Sequence, residues 1–362
     1  MKDVAALNAV CPYYTMYPLD FPLRVLQSRG SPGEWVLDPF CGRGTTNFAA
    51  RLLGMPSCGI DSSRIAVALA QAKLPKVGAG QVVSSAKRIL QQWRDARDVP
   101  CGAFWRRAYH HTTLRDLCRL REALVDRCST GTRIVLRAII LGALHGPLTK
   151  NEPSYFSNQS PRTFAPKPAY ALKFWRSRGL YAPRVDVLSV IARRAEWYLT
   201  SQPDRGLGQV VHGDSRDPAT LDPERRFSWV VTSPPYYGMR TYIPDQWLRN
   251  WFLGGPRKVE YGQPPEEMGH ASPEAFVEQL RSVWKNAARV CRSGARLVTR
   301  FGGINDRKQE PLDLLKDSFR ESGWRIRTIK GAGTANDGKR QARQFGQVTK
   351  PRVEYDLYAV RA

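Results

Sequence analysis

Two stretches of this sequence carry residues whose types and spacing could do chemistry. The first is Asp38-Pro39-Phe40-Cys41-Gly42-Arg43-Gly44-Thr45-Thr46, which follows the apolar run Trp35-Val36-Leu37. A short buried strand ending in an acid and a Gly-x-Gly turn delivers backbone close to a ligand, because glycine turns sharply and brings no side chain. A second acid, Asp61, ends the next apolar run, Ser57 to Ile60. An acid at that second position accepts hydrogen bonds from ribose hydroxyls, and an acid at the first strand tip suits an ammonium or sulfonium group. The second stretch is Val230-Val-Thr-Ser233-Pro234-Pro235-Tyr236-Tyr237-Gly238. Two prolines cannot donate to a sheet ladder, so a strand must stop at Ser233 and present a hydroxyl, two fixed φ angles and an aromatic ring at its tip.

Other chemistries are excluded by spacing. The phosphate-loop pattern G-x-x-x-x-G-K-[ST] is absent. The dinucleotide pattern G-x-G-x-x-G fails because Asn47 takes the third glycine's place. The seven cysteines are dispersed, with no C-x-x-C pair and no zinc spacing, which suits a reducing cytoplasm and predicts no structural metal. Cys41 reads as a small packing residue. Pro100-Cys101 follows a charged run rather than an apolar strand, and Cys11 precedes its proline, so neither reads as a nucleophile.

The elements that must position these residues alternate in type. Phe21 to Gln27 and Thr45 to Leu53 read as helices, Glu34 to Leu37 and Pro56 to Asp61 as strands, and the stretch after Ser62 or Ser63, one of which is the N-cap, as a helix. This opening predicts a parallel sheet with helices on its faces. Strand patterns resume with a run ending at Asp214, with Phe227 to Ser233, 294–303, 324–331 and 353–361. Between them, 76–204 carries helical patterns at 113–127 and 185–199, a proline-rich polar stretch at 150–170, and 22 Lys and Arg against 9 Asp and Glu. The reading is one α/β domain, 1–75 plus 205–362, interrupted by a basic helical insertion, 76–204, with a mobile loop at 331–352.

The whole chain of 362 residues carries a net charge of +24, which implies a polyanionic partner, most often nucleic acid. No run approaches the roughly 18 uninterrupted apolar residues of a membrane span, and no secretory leader pattern is present. A soluble, cytoplasmic protein is expected.

Asp38-Pro-Phe-x-Gly-x-Gly-Thr-Thr46 resembles the cofactor motif of the amino-group DNA methyltransferases, which use S-adenosylmethionine. Tyr17 to Gln27 is similar to the segment that accompanies this motif, Gly213-Asp214-Ser215 resembles a further strand end of the cofactor site, and Ser233-Pro-Pro-Tyr236 resembles the catalytic motif. The resemblance covers about 10–75 and 207–255. It implies a Rossmann-like methyltransferase fold with a mixed, mostly parallel seven-stranded sheet. It further implies that Tyr17, Asp38, Pro39, Phe40, Cys41, Gly42, Gly44, Thr45, Thr46, Asp61, Ser62, Asp214 and Ser215 hold S-adenosylmethionine. Ser233, Pro234, Pro235 and Tyr236 are then catalytic: Ser233 Oγ and the Pro234 carbonyl accept the hydrogens of a target amino group, and Tyr236 stacks on a base flipped out of double-stranded DNA.

In the family, Ser-Pro-Pro-Tyr mostly accompanies cytosine N4 methylation and Asp- or Asn-Pro-Pro-Tyr adenine N6 methylation, so N4-methylcytosine is implied. Adenine N6 in DNA, an amino group in structured RNA, and a silent DNA-binding module remain alternatives. A cognate restriction endonuclease is a candidate partner. The insertion is the expected target-recognition region, with His110, Tyr155, Asn158, Arg162 and, beyond it, Arg240 as candidate DNA contacts.

Overall fold

The computed structural model describes residues 5–13, 17–92, 95–146, 153–157, 167–238, 243–261, 268, 272–303, 309–334 and 353–362. They form two compact units.

The first unit to consider comprises 15–70, 204–241 and 264–362. Its centre is a seven-stranded sheet of order β3-β2-β1-β4-β5-β7-β6. The strands are β1 (Val36–Asp38), β2 (Ser57–Asp61), β3 (Gly208–His212), β4 (Phe227–Thr232), β5 (Cys291–Phe301), β6 (Trp324–Thr334) and β7 (Val353–Arg361). β1 to β5 pair in parallel, and β7 runs antiparallel between β5 and β6. The expected mixed, mostly parallel, Rossmann-like sheet is therefore present. β4 is buried along its whole length, as a near-continuous apolar run between two parallel neighbours requires.

Each face of the sheet has its own core. On one, Leu37, Val230, Leu297 and Phe301 pack with α11 (Pro273–Val290) and α12 (Pro311–Ser318) around Trp284 and Phe276. The indole N–H of Trp284 donates to Ser318 Oγ at 3.0 Å, so burial of the ring leaves no polar atom stranded. On the other face, Val36, Trp229, Val231 and Val298 pack with α1 (Asp20–Arg29) and α2 (Thr45–Leu52). α3 (Arg64–Gln71) follows β2, and Ser63, not Ser62, caps it through its hydroxyl and the amide of Ala66. The strand expected to stop at 331 extends to Thr334, because Gly331 and Thr334 pair with Tyr355 and Val353. The loop expected over 331–352 thus begins later, and 335–352 lie outside the described residues.

The second unit comprises 1–14, 71–203 and 242–263. It is built from α4 (Ala79–Gln91), α5 (Ala103–Ala108), α6 (His111–Asp126), α7 (Gly131–Ala143), α8 (Pro168–Ser177), α9 (Val187–Leu199) and α10 (Ile243–Phe252). Its limits differ from the expected 76–204 because two distant segments enter its core. Trp247 and Trp251 of α10 pack on Phe104 and Trp105 of α5, with ring centroids 4.9 Å and 4.7 Å apart. The N-terminal turn is held by Lys73, fully buried, whose ammonium donates to the Leu7 carbonyl at 2.6 Å. α7 then passes so close to this segment that a Cβ at Gly142 would collide with the Val10 carbonyl oxygen. No helix among the described residues is long and apolar enough to cross a membrane.

Gly142→Ala tests this close approach. Alanine is the better helix former by about 1 kcal/mol, but overpacking against backbone costs about 1–3 kcal/mol. The clash wins, and chemical denaturation should show a net loss of stability. A gain would show that 5–13 does not dock on α7 in this way.

Candidate active site

β1, β2 and β4 are parallel, so their C-terminal ends lie along one edge of the sheet, and the motif residues begin there. Asp38 is the last residue of β1 and is 1% exposed. Its Oδ1 accepts from Thr232 Oγ1 at 2.6 Å and from the Phe40 amide at 3.1 Å. Its Oδ2 accepts from the Tyr17 hydroxyl at 2.9 Å, and Tyr17 also meets Thr46 Oγ1, which reaches the Val231 carbonyl. Burial raises the Asp38 pKa, and the donors Thr232, Thr46, Tyr17 and the Phe40 amide pull it back. Asp38 thus ties the entry segment, β1, α2 and β4 together. Thr232 is the residue immediately before Ser233, so the two motifs, about 190 residues apart in sequence, meet through this hydrogen bond and that from Thr46 to Val231.

The chain leaves Asp38 through Pro39, buried, and Phe40, whose ring meets Trp284 edge-on at 6.2 Å. Cys41 is buried, its amide donates to the Ile60 carbonyl at 2.9 Å, and burial raises its thiol pKa far above the ordinary value. It is a packing residue, not a thiolate. Gly42 and Gly44 sit at φ 50° and 80°, the left-handed region that favours glycine, and Gly44 opens α2. Thr45 and Thr46 are its buried first turn.

Asp61 ends β2. Its Oδ2 accepts from the Gly42 amide at 2.9 Å and its Oδ1 from the Ser63 amide at 2.8 Å. Each oxygen keeps a further lone pair for a ligand hydroxyl. Burial lifts its pKa to about 6, with the charge of Asp38 adding to the rise and the two amides opposing it. Ser62 lies next, its carbonyl accepting from His212 Nε2 at 3.0 Å.

Beyond β3, Asp214 forms an ion pair with Arg216 at 2.6 Å. Ser215 is buried and donates to the Pro39 carbonyl at 2.7 Å, which fastens this loop to the first motif. Its hydroxyl is therefore engaged in the protein itself.

Ser233 is partly exposed, Pro234 buried, and Pro235 partly exposed. The Tyr236 ring lies edge-on to Phe301 at 5.4 Å, and its hydroxyl donates to Glu354 Oε1 at 2.6 Å. Tyr237 is buried against Phe276 at 5.3 Å, a core contact. Sequence reading missed Thr232, taken as a strand former, and Glu354. The available signal for the latter was an acid at 354 and another at 356 in an otherwise apolar strand, facing Arg300 on the paired strand.

Of the candidate DNA contacts, His110 caps α6, its Nδ1 facing Thr112 Oγ1 at 2.8 Å. Tyr155 lies against Gly146, whose Cβ position its ring fills, with the Arg194 guanidinium 4.6 Å from its centroid. Asn158, Arg162 and Arg240 lie outside the described residues.

A seven-stranded sheet of this order, with acids at the tips of two central strands and Ser-Pro-Pro-Tyr at a third, has the architecture of a Rossmann-like methyltransferase. Residues 6–72 match the model of a family described as DNA methylase, and this supports placing the chain with the amino-group methyltransferases. No curated protein matches it in sequence. Solved structures similar to it include the rRNA methyltransferase aviRa from Streptomyces viridochromogenes, at 13% identity and TM-score 0.40, covering 99% of this chain and 92% of that one. A methyltransferase from Methanosarcina mazei is 10% identical, with TM-score 0.37 and coverage of 96% and 98%. TrmN from Thermus thermophilus is 10% identical at TM-score 0.36; 95% of this chain is covered, but only 48% of TrmN.

The donor set fits S-adenosylmethionine: a glycine turn leaving room for backbone approach, a carboxylate with free lone pairs for ribose hydroxyls, and acids suited to a cation.

The raised pKa of Asp61 has a testable sign. Its native value lies above the ordinary 3.8, so its contribution to stability is present below about 4 and is lost as pH rises through about 6. Asp61→Asn removes that contribution. The stability difference between variant and native chain, from denaturation at pH 5 and pH 7, should shift in favour of the variant at pH 7. A difference independent of pH would show that Asp61 is not desolvated.

Proposed function

We propose that this chain is an S-adenosylmethionine-dependent DNA methyltransferase acting on the exocyclic N4 amino group of cytosine. The observation that carries the reading is the Thr232–Asp38 hydrogen bond, which fixes the start of Ser233-Pro-Pro-Tyr236 against the glycine turn. When bound, S-adenosylmethionine supplies a methyl group made electrophilic by its sulfonium. The residues of the chain do the rest. Asp61 accepts ribose hydroxyls, Gly42 and Gly44 leave the approach open, and the acids at the strand tips favour positive charge.

An exocyclic amino group is a poor nucleophile because its lone pair is conjugated into the ring. Ser233 Oγ and the Pro234 carbonyl accept its hydrogens. The charge on those hydrogens grows as the nitrogen becomes tetrahedral, so the acceptors stabilise the transition state more than the ground state. Pro234 and Pro235 fix φ at successive positions, so the acceptors are held in place before the base arrives. Reaching them requires the base to leave the duplex.

The net charge of +24 supports a nucleic-acid substrate, and the helical unit, where over half of that charge is concentrated, is the proposed DNA-recognition region. Serine at 233 favours cytosine over adenine. A partner endonuclease and a cytoplasmic location belong to the same proposal.

Incubation with isotopically labelled cofactor and duplex DNA, digestion to nucleosides and mass analysis should yield N4-methylcytosine. N6-methyladenine would move the target, and no transfer to DNA would overturn the reading. Ser233→Ala should lower kcat on the order of 100-fold, by analogy with loss of one transition-state hydrogen bond, with cofactor affinity unchanged by calorimetry. Retention of full methyl transfer would remove Ser233 from the mechanism.

Asp61 adds a pH dependence. Its ionised form is the acceptor, so cofactor affinity should fall as pH drops from 7 to 5, through its value of about 6. Asp61→Asn should bind weakly with a flat profile in the same titration. A native profile that is already flat would exclude Asp61 as a ligand group.

A further inference from the structure

Tyr236 is anchored by an acid at the start of β7. Its hydroxyl donates to Glu354 Oε1 at 2.6 Å, a short bond to an acid only 2% exposed. A carboxylate only accepts, so Tyr236 must donate here, and its own oxygen is left with acceptor capacity. Burial and the neighbouring Glu354 raise the phenol's pKa well above its ordinary value, which keeps it a donor.

The ring has little room to turn. It lies edge-on to Phe301 at 5.4 Å and 73°. Gly302 closes the other approach: a Cβ there would stand 3.2 Å from Tyr236 Cε2 and Cζ and 3.0 Å from Glu354 Cγ. Glycine at this position therefore lets ring and acid come together.

Glu354 lies within electrostatic reach of a buried ion pair. Arg300, on the strand paired with β7, binds Asp356 through two hydrogen bonds of 2.7 Å and 2.8 Å. Burial opposes its ionised form, but the hydrogen bonds to Asp356 and the charges of Asp356 and Glu354 outweigh it. The Arg300 guanidinium lies 4.2 Å from the centroid of Phe21, which meets Tyr17 edge-on at 5.4 Å. Tyr17 in turn donates to Asp38. Contacts thus run from Arg300 through Phe21 and Tyr17 to the glycine-turn acid, and Arg300 is next in sequence to Phe301, which meets the Tyr236 ring.

We propose that Glu354 is the positioning residue of the Ser233–Tyr236 loop: its buried carboxylate holds the Tyr236 hydroxyl, and so fixes the plane of the ring and the end of the acceptor-bearing segment. The proposal rests on the reading of that loop as the methyl-transfer loop. A free aromatic ring would have to be ordered each time a base arrived; a ring held beforehand leaves that cost out of the reaction. Glutamine at 354 can still accept from the phenol but lacks the charge, and alanine removes the acceptor altogether.

The test combines kinetics with a readout that needs no activity. Glu354→Ala should lower kcat for methyl transfer about tenfold or more, the scale of a misplaced group, with the cofactor KM within about twofold of native. Glu354→Gln should recover part of the loss. Tyr236→Phe should lose a similar amount, and the Tyr236→Phe/Glu354→Ala double variant should be no worse than the poorer single one, since both remove the same bond. Full kcat in Glu354→Ala, or losses that simply add, would overturn the proposal. If Glu354→Ala fails to fold, Glu354→Gln and Tyr236→Phe, which keep the side-chain shapes, carry the same comparison.

In protein labelled with fluorotyrosine, the Tyr236 resonance, assigned by its disappearance in Tyr236→Phe, should shift in Glu354→Gln. An unmoved resonance would overturn the contact itself. A shifted resonance in Glu354→Gln together with a native chain that transfers no methyl group would overturn the reading of the loop, and with it the catalytic half of the proposal, while the contact stands.

Discussion

The carboxylate of Asp38 is the point on which the catalytic unit depends. It is nearly fully buried, and an ionised acid in that position is tolerated only when its lone pairs are occupied. Four groups converge on it or on its immediate neighbours: Thr232 from β4, Tyr17 from the entry segment, Thr46 from α2 and the Phe40 amide from the turn itself. Hydrogen bonds to a charged group contribute about 1.5–3 kcal/mol each. Loss of any one donor would leave the others to carry a buried charge. The requirement to satisfy this acid therefore fixes four separate chain segments at once, and a glycine turn and a proline-locked loop are then placed beside it without further adjustment.

Some motif residues have their polar groups engaged within the protein itself. Cys41 and Ser215 stand within patterns that imply cofactor contact. Yet Cys41 is a buried thiol on the carbonyl side of β2, and the Ser215 hydroxyl is engaged with Pro39. Ser215 is also bridged to α11 through Asn286, whose amide donates to the carbonyls of Ser215 and Arg216. Such residues shape the loop and spend their polar groups within it. A motif in sequence mixes the two roles because both are under the same geometric demand.

Much of this is legible in the sequence. The strand ends at Asp38, Asp61 and Ser233 are marked by local chemistry: an acid, a glycine turn, two prolines. Local chemistry is what a sequence displays. The units' limits were not legible, since α10 and the N-terminal turn join the helical unit through contacts such as Trp251 on Trp105 and Lys73 on Leu7, which link residues far apart in the chain. Glu354 escaped for the same reason. Its partner lies 118 residues away, and period-2 alternation marks it only as a strand residue. The extension of β6 to Thr334 is likewise a product of pairing with β7, against a sequence rich in glycine.

The electrostatics of the sheet edge give a last argument about what binds there. Asp61 is raised in pKa chiefly by burial and further by the charge of Asp38, and Asp38 is raised by burial. Two buried acids at adjacent strand tips are costly unless something offsets their lost hydration. Backbone amides and hydroxyls relieve the cost but do not cancel it, since both pKa values remain raised. A neutral ligand would bury the pair further and raise them again. A ligand that brings positive charge to the same edge lowers both and releases protons on binding below about pH 6. The uncancelled burial cost of these acids is thus a physical reason, independent of any motif, to favour a cationic ligand such as a sulfonium over an uncharged nucleoside.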